Sequence, residues 1–271
     1  MDSTRALTQA TTDASVLTTD AYRDDRHLGA RQRLYEFQHP TFDIAAMALE
    51  QLSGLGGTWV DVGCGNGRYL DRIRSQRPDV RALGVDLSLT LLHDVPGPVV
   101  CADACRLPLA DRSVDAVLAM HMLYHLPAPD TGLAEFARVL KPGGVLLAST
   151  NASIDKRELD ELWSTAAGQV LGVDRGPQRI KLSDHFPLEH AEDALRAHFA
   201  HVVVQELSGV IEVSTAEPVL AHLASYRTWA EQAGVPFDAA LAQAASNLHW
   251  HLEQHGSFTI STRQGLISAH T

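Results

Sequence analysis

The chain has 271 residues, of which 45% are hydrophobic and 20% charged, and its 22 Lys and Arg against 33 Asp and Glu give a formal net charge of −11. This length can bury one substantial core with a smaller lobe attached, and no apolar run is long enough to cross a membrane. An acidic surface repels phosphate backbones and argues against a nucleic-acid partner. Three cysteines without a C-x-x-C pair favour a reducing, cytoplasmic location.

The amino-terminal half predicts an α/β core. Residues 1–26 lack the order of a signal peptide and are predicted to be a flexible tail. From about residue 27 to 52 we expect two helices that break at Pro40. Apolar strands and amphipathic helices then alternate, which requires crossovers and a parallel, doubly wound sheet. The predicted strands are Thr58–Val62, Val80–Val85, Pro98–Ala102, Val114–Met120 and Gly144–Ser149, and the helices between them include Arg68–Gln76 and Gly132–Leu140.

The pattern changes after Thr150. Asp155, followed three residues later by Glu158, predicts a helix cap. A sixth strand is predicted at His201–Glu206, which ends the core domain of residues 27–206. Helical spacing then predicts a cap or substrate lobe over residues 207–256, and residues 257–271 return to the core as its final strand or strands. Aromatic residues of the lobe, such as Tyr226 and Trp229, are expected to line a pocket, to fill a core, or both.

The most informative stretch is a strand that enters a glycine-rich turn, Val60-Asp61-Val62-Gly63-Cys64-Gly65-Asn66-Gly67-Arg68. Glycines at 63, 65 and 67 allow a tight bend and the close approach of a ligand. A dinucleotide site or a plain strand-to-helix connection would also use such glycines. The NAD fingerprint, however, places its third glycine three residues after the second. Asp61, inside the strand, needs a cationic or donor partner, which a ligand ammonium would supply.

Two further acids follow neighbouring strands. Asp86 ends the second strand in Gly84-Val85-Asp86-Leu87-Ser88. Its two carboxylate oxygens can accept both hydroxyls of a ribose, although the same residue can instead cap the next helix. Asp103 follows the third strand in Cys101-Ala102-Asp103-Ala104, where it can accept from an adenine amino group or lie in a solvated turn.

These pieces together resemble the class I S-adenosylmethionine-dependent methyltransferases. The matching segments are VDVGCGNGRYL, GVDLS, CADA, VDAVLAMHMLYHLP and RVLKPGGVLLAST, in the family's order, over roughly residues 55–150. The resemblance implies a Rossmann-like, seven-stranded, mostly parallel sheet whose last strand is antiparallel. It also implies S-adenosyl-L-methionine as cofactor, lying across the ends of the first four strands.

The resemblance implies specific roles for individual residues of this sequence. Gly63, Cys64 and Gly65 would line the methionine part, Asp86 would take the ribose, and the segment that carries Tyr35 would close over the cofactor. Asp103 and Ala104 would hold the adenine, while Met120 and His121 would lie near the reacting end. The predicted cofactor-binding residues are Tyr35, Asp61, Gly63, Cys64, Gly65, Gly67, Asp86, Leu87, Asp103, Ala104, Met120 and His121.

The expected function is methyl transfer to a small-molecule acceptor with an O, N or C nucleophile. His121 and His125 follow the fourth strand and are the predicted catalytic bases, because imidazole titrates near neutrality. His125 can instead be a structural residue of that loop.

Other functions stay open at this point. They are methyl transfer to RNA or protein, cofactor binding without catalysis, and nicotinamide oxidoreduction. The net charge and the lack of a Lys/Arg run argue against RNA. No metal is expected, because His249, His251 and His255 lack an accompanying Cys or carboxylate. A homodimer is compatible with the sequence.

Overall fold

A computed structural model of the chain describes residues 11–22, 25–230 and 234–271. The strands are β1 Gln38–His39, β2 Thr58–Val62, β3 Arg81–Asp86, β4 Val99–Cys101, β5 Val114–Met120, β6 Leu140–Asn151, β7 His201–Val213 and β8 Phe258–His270. The helices are α1 Asp25–Arg33, α2 Ile44–Gln51, α3 Arg68–Gln76, α4 Leu89–His93, α5 Pro129–Val139, α6 Arg157–Leu171, α7 Leu188–Arg196, α8 Glu217–Ala224, α9 Arg227–Ala230 and α10 Phe237–His255. Shorter helical turns lie at Ala14–Val16, Leu17–Ala21, Leu34–Phe37, Leu123–His125 and Leu182–His185.

All strands of the described residues join one sheet in the order β1-β7-β8-β6-β5-β2-β3-β4. The neighbouring pairs from β6 to β4 are parallel, whereas β8 runs antiparallel between β6 and β7. The predicted α/β, Rossmann-like fold with an antiparallel last strand is therefore confirmed.

The sheet has eight strands, so the predicted count of seven is wrong by one. The additional strand, β1, is a short edge strand in the region where we expected helices. It pairs with β7 through Gln38 opposite Ile211, and the buried Gln38 amide donates to the Thr262 hydroxyl (3.0 Å). Without β1, β7 would be the edge strand of the sheet, and β1 pairs with part of that edge.

The carboxyl-terminal strands are longer than their sequence pattern indicated. β7 continues past Glu206 to Val213 and pairs with β8 from His201 opposite His270 to Val213 opposite Phe258. Ser208 and Gly209 interrupt the apolar alternation, which hid the second half of this strand. The helices of the predicted lobe therefore begin at Glu217 rather than at residue 207. The division into core and substrate lobe stays a prediction.

Helices cover both faces of the sheet, as the buried strands require. β2 buries Trp59, Val60, Asp61 and Val62 in succession, the pattern of a strand packed on both sides. One layer packs α2 and α3 against Trp59 and Leu118, and the other packs α5 and α7 against Val60 and Val117. Each fully buried large apolar side chain contributes about 1.5–3 kcal/mol to folding.

Residues 11–22 lie against the core rather than away from it. Leu17 and Ala21, one helical turn apart, are 8% and 1% exposed and belong to the main hydrophobic cluster. For these residues the predicted flexible tail is therefore wrong, because their apolar side has a partner in the fold. Residues 25 and 26 of the predicted tail begin α1, and its residues 1–10 and 23–24 lie outside the described residues. No described helix is long and apolar enough to cross a membrane.

Candidate active site

A cavity of about 350 Å³ opens at the carboxyl ends of the central strands, where parallel α/β sheets bind their ligands. Residues of the 11–22 segment, of α1 and of α8 form its opposite wall. The predicted site residues that line it are Tyr35, Gly63, Cys64, Gly65, Asp86, Leu87, Asp103, Ala104, Met120, His121 and His125. Asp61 and Gly67 are the predicted residues that do not.

The glycine turn is held in place by hydrogen bonds to β3. The amides of Gly63 and Cys64 donate to the Val85 carbonyl at 2.7 and 3.1 Å. Gly63 has a φ of +70°, and a Cβ there would lie 2.7 Å from the Met122 Cβ. Glycine is therefore needed for both conformation and space, and the backbone itself forms this part of the cavity wall.

Gly67 supports the turn from behind. It is the N-cap of α3 with a φ of +80°, and a Cβ there would lie 2.8 Å from a Val95 methyl. Gly67 does not line the cavity, and its predicted contact with the cofactor stays a prediction. Its role is to let α3 begin directly after the turn.

Asp86 joins the glycine turn to the end of β3. Its carboxylate accepts from the Gly65 amide and from the Ser88 amide, both at 2.8 Å. Burial raises the pKa of this carboxyl, and these amide hydrogen bonds act against the rise. Ser88, not Asp86, caps α4 by accepting from the Leu91 amide (3.3 Å). The helix-cap alternative for Asp86 is therefore wrong.

Asp61 lies in β2, two residues before Gly63, and its side chain is buried. The residue is 1% exposed, and its Oδ2 has no hydrogen-bond partner among the described residues. Burial first and the Asp86 charge second raise its pKa to about 8, while Arg74 acts in the opposite direction. Burying a carboxyl without a hydrogen-bond donor costs free energy. The unpaired Oδ2 therefore marks a position where a cationic or donor group of a ligand would be stabilised.

The glycine cradle, the orphaned Asp61 oxygen and the carboxylate at the β3 end fit S-adenosylmethionine. The amino group of its methionine part would supply the donor that Asp61 lacks, and Asp86 would accept from the ribose. Asp103 lies beyond Asp86 on the cavity wall, with Oδ1 accepting from the Cys105 amide at 2.8 Å. Leu87 and Ala104 also line the cavity, and the adenine site expected at these residues stays a prediction.

The two predicted catalytic histidines differ in their surroundings. The His121 ring makes no hydrogen bond within the described chain, and burial, then Lys156 and Arg68, lower its pKa to about 4. Its backbone has a φ of +54°, and its amide donates to the Ser149 hydroxyl at 3.0 Å. Both ring nitrogens of His125 are engaged, Nδ1 with the Thr11 carbonyl at 3.0 Å and Nε2 with the Tyr22 hydroxyl at 2.7 Å. His121 is thus the histidine with a free ring.

The structure adds a buried polar cluster that the sequence did not reveal. Lys156, 4% exposed, bonds to the Asp155 carboxylate and to the Tyr35 hydroxyl. Burial acts to lower the pKa of Lys156, but Asp155 and Tyr35 outweigh it and raise the pKa. Asp155 also accepts from the Arg263 amide at 2.8 Å. The predicted Asp155 helix cap is wrong, because this carboxylate accepts hydrogen bonds from the Lys156 ammonium and from the Arg263 amide in β8.

Two more cationic side chains and one histidine complete this part of the wall. Arg179 pairs with Asp160 at 3.0 Å, and Lys181 reaches the same carboxylate at 3.2 Å. His222 is 2% exposed, and neither ring nitrogen has a partner in the described chain. No local motif marks these residues, because helical or loop spacing gives no sign of which side chain faces a cavity.

The aromatic residues of the predicted lobe divide between pocket and core. Tyr226 lines the cavity, whereas Trp229 is fully buried beside it. The rings of His251 and His255 on α10 are tilted relative to each other, with centroids 4.5 Å apart. Within the described ranges, no group of three or more His, Cys, Asp or Glu side chains is placed to hold a metal ion.

Comparison with known proteins agrees with this geometry. Residues 60–148 match the family described as a methyltransferase domain. A malonyl-[acyl-carrier protein] O-methyltransferase from Hahella chejuensis is 34% identical over 116 residues, which are 40% of this chain and 42% of that protein. A tRNA (carboxymethyluridine(34)-5-O)-methyltransferase from Arabidopsis thaliana is 29% identical over 58% of this chain and 43% of that protein.

The chain spans less than half of the length of each of these relatives. A solved structure from Anabaena variabilis, described as a methyltransferase from an antibiotic biosynthesis pathway, superposes with a TM-score of 0.56. It is 17% identical over 83% of this chain and 96% of that one, so it supports the fold alone. Residues 60–148 therefore match a methyltransferase domain, and the strand order and glycine turn support the resemblance to the class I S-adenosylmethionine-dependent methyltransferases.

Proposed function

We propose that this protein transfers the methyl group of S-adenosylmethionine to a small-molecule acceptor bound in the same cavity. The observation that carries the proposal is the continuity of the cavity. It runs from the predicted cofactor residues at Asp86 and Asp103 to a second, buried polar region at Lys156 and His222. A protein that bound the cofactor alone would have no need for that second region.

The residues of the chain mainly bind the cofactor and the acceptor and align them with each other. When bound, the cofactor supplies a methyl group that is already activated by a positively charged sulfur. The glycine turn and Asp86 fix the cofactor end, while Met120 and His121 border the acceptor end. Holding the nucleophile in line in a site that excludes water contributes much of the rate of such a transfer.

The histidines take different parts in this proposal. His121, with its free ring, faces the acceptor and accepts a hydrogen bond or a proton from it. His125 acts through Tyr22, since its Nε2 is hydrogen-bonded to the Tyr22 hydroxyl and both residues line the cavity. Because the pKa of His121 is lowered to about 4, its ring is neutral at physiological pH but is a weak base.

The burial of the side chains in the second region favours a small acceptor over RNA or a folded protein. The 11–22 segment and α8 cover the second region, and His222 there is 2% exposed. A polymer cannot enter such a site unless it inserts a single group. The Hahella chejuensis relative is described as acting on a malonyl group of an acyl-carrier protein, which makes a carrier-bound acyl group the second candidate acceptor.

Transfer of labelled methyl from the cofactor to fractionated cell extract tests this proposal. The extract is separated into metabolites below about 3 kDa, RNA and protein, and each fraction is incubated with the enzyme and with its Asp86→Asn variant. We expect label in the metabolite fraction with the wild type and much less with the variant. Label in RNA or folded protein alone would contradict the small-molecule acceptor, and label on acyl-carrier protein would select the second candidate.

A further inference from the structure

The proposed acceptor site contains a cation whose charge no described carboxylate balances. Arg31, on α1, lines the cavity. Its Nη1 donates to the Ser225 carbonyl at 3.2 Å, and its Nη2 is buried with no hydrogen-bond partner in the described ranges. Its neighbours in the cavity differ in this respect, since Lys156 pairs with Asp155 and Arg179 with Asp160. Burying an unpaired charge costs free energy unless a ligand supplies the opposite charge.

Aromatic rings hold the Arg31 guanidinium in place. Its central carbon lies 5.1 Å from the ring centre of Tyr22, 5.6 Å from that of Tyr226 and 5.7 Å from that of Trp229. These contacts orient the side chain and compensate part of its charge. These cation–π contacts do not provide a hydrogen-bond acceptor for the buried Nη2 group, which has no partner in the described ranges.

His222 is the second group without a partner in this region. Its ring is 2% exposed, lines the cavity, and has both nitrogens unbonded within the described chain. Burial first, then Lys156, Arg179 and Arg31, lower its pKa well below the ordinary value, so the imidazole is neutral. A neutral imidazole has one N–H to donate, which suits a ligand that accepts hydrogen bonds.

Arg31 lies apart from the residues of α1 that face the glycine turn. Leu28 lies 3.0 Å from the position of a Cβ on Gly65, and the Gln32 side chain accepts from the Asn66 amide at 3.3 Å. These two residues, one turn apart, form the side of the helix toward the cofactor. Arg31 instead contacts Tyr22, Tyr226 and Ser225, on the side of α8.

We propose that the acceptor carries a carboxylate, which pairs with Arg31 and accepts an N–H from His222. This inference rests on the proposed function, and it names the chemical class of the acceptor. The Arg31 guanidinium has no described carboxylate partner, and a carboxylate of the acceptor would supply one. The planar fork of arginine also fits a carboxylate, and the surrounding Tyr22, Tyr226 and Trp229 rings suit an aromatic or aliphatic body.

Binding of benzoate and of its uncharged counterpart benzamide to the complex with S-adenosylhomocysteine tests the proposal by calorimetry. We expect benzoate to bind about 10- to 100-fold more tightly than benzamide, the range of a charge-assisted hydrogen bond. Arg31→Met should reduce this ratio to about one, and Arg31→Lys, which keeps the charge, should restore part of it. Arg33→Met, an exposed position on the same helix, is the matched control and should retain the wild-type ratio.

The same titrations separate this inference from the proposed function. If S-adenosylhomocysteine fails to bind the wild type, the proposed function is wrong and this inference falls with it. If it binds but benzoate has no advantage over benzamide, the carboxylate inference alone is wrong. Loss of S-adenosylhomocysteine affinity in both Arg31 variants would overturn it by assigning Arg31 to the cofactor. Tighter binding of inorganic phosphate than of benzoate would overturn it in favour of a phosphorylated acceptor.

Discussion

The Tyr22 hydroxyl donates to Nε2 of His125 at 2.7 Å, while Nδ1 of the same ring lies 3.0 Å from the Thr11 carbonyl. A carbonyl can only accept, so Nδ1 carries the proton and Nε2 is the acceptor. Burial raises the pKa of Tyr22 and lowers that of His125 to about 4, which keeps both groups uncharged. The pair therefore ties the 11–22 segment to the loop after β5.

Removing either partner of this pair should loosen the cover of the cavity. Tyr22→Phe leaves Nε2 of His125 buried without a donor, which should lower the free energy of unfolding by about 1–3 kcal/mol. His125→Gln should cost a similar amount, and the double variant should cost less than the sum of both. Urea unfolding of the three variants measures this coupling, and strictly additive losses would show that the bond does not stabilise the fold.

Replacement of His121 tests its proposed contact with the acceptor. His121→Gln should lower kcat by about 10²-fold, the low end for a general base, because the pKa of His121 lies far below the working pH. Cofactor affinity should stay within about threefold. Equal loss of cofactor affinity would assign this histidine to the architecture of the cofactor site instead.

The pH profile of the wild type gives a second test of His121. The free ring must be neutral to accept a proton. At saturating cofactor, the rate should therefore be full above about pH 5 and fall as the pH drops through the lowered pKa of about 4. The profile should lack an inflection near the ordinary histidine pKa of about 6.5. Such an inflection, absent from His121→Gln, would show that the ring is more solvated during the reaction than its burial indicates.

The carboxylate of Asp86 should control cofactor affinity. Asp86→Asn keeps the size of the side chain but removes its charge and one acceptor, so the affinity should fall by about 1–3 kcal/mol. Asp94→Asn, an exposed change after the neighbouring helix, is the control. Calorimetric titration with S-adenosylhomocysteine measures both. Native-like affinity in Asp86→Asn would place the ribose elsewhere.

Asp61 should make cofactor binding depend on pH. Its raised pKa of about 8 means that the carboxyl is protonated at pH 6 in the protein without ligand. A ligand ammonium favours the ionised form, so affinity should rise with pH, by up to about tenfold per unit below pH 8, and then level off. Asp61→Asn should bind weakly with no such slope. The same slope in both proteins would assign the pH dependence to another group.

Much of the fold follows from local sequence. β2, β5 and α3 have the predicted bounds, because continuous apolar runs and helical periodicity are properties of adjacent residues. The glycine turn and Asp86 were found in the same way, since both follow a strand directly. The cofactor half of the candidate site is therefore readable without a structure.

The acceptor half depends on contacts between distant parts of the chain. Tyr22 and His125 are 103 residues apart, and the hydrogen bond from Lys156 to Tyr35 spans 121 residues. Neither periodicity nor capping rules relate such positions. The Asp155 side chain illustrates the problem, because its spacing to Glu158 fits a helix cap while the folded chain uses it to bind Lys156.

Thermal unfolding with and without cofactor tests the central claim most directly. S-adenosylmethionine or S-adenosylhomocysteine at about 100 times its Kd should stabilise the protein by about 2.7 kcal/mol, which raises the Tm by roughly 5 to 10 °C for a chain of this size. NADH at the same concentration should leave the Tm unchanged, and Asp86→Asn should reduce the shift from S-adenosylhomocysteine. An unchanged Tm with saturating S-adenosylmethionine, together with a clear rise with NADH, would contradict the assignment of the glycine turn to this cofactor.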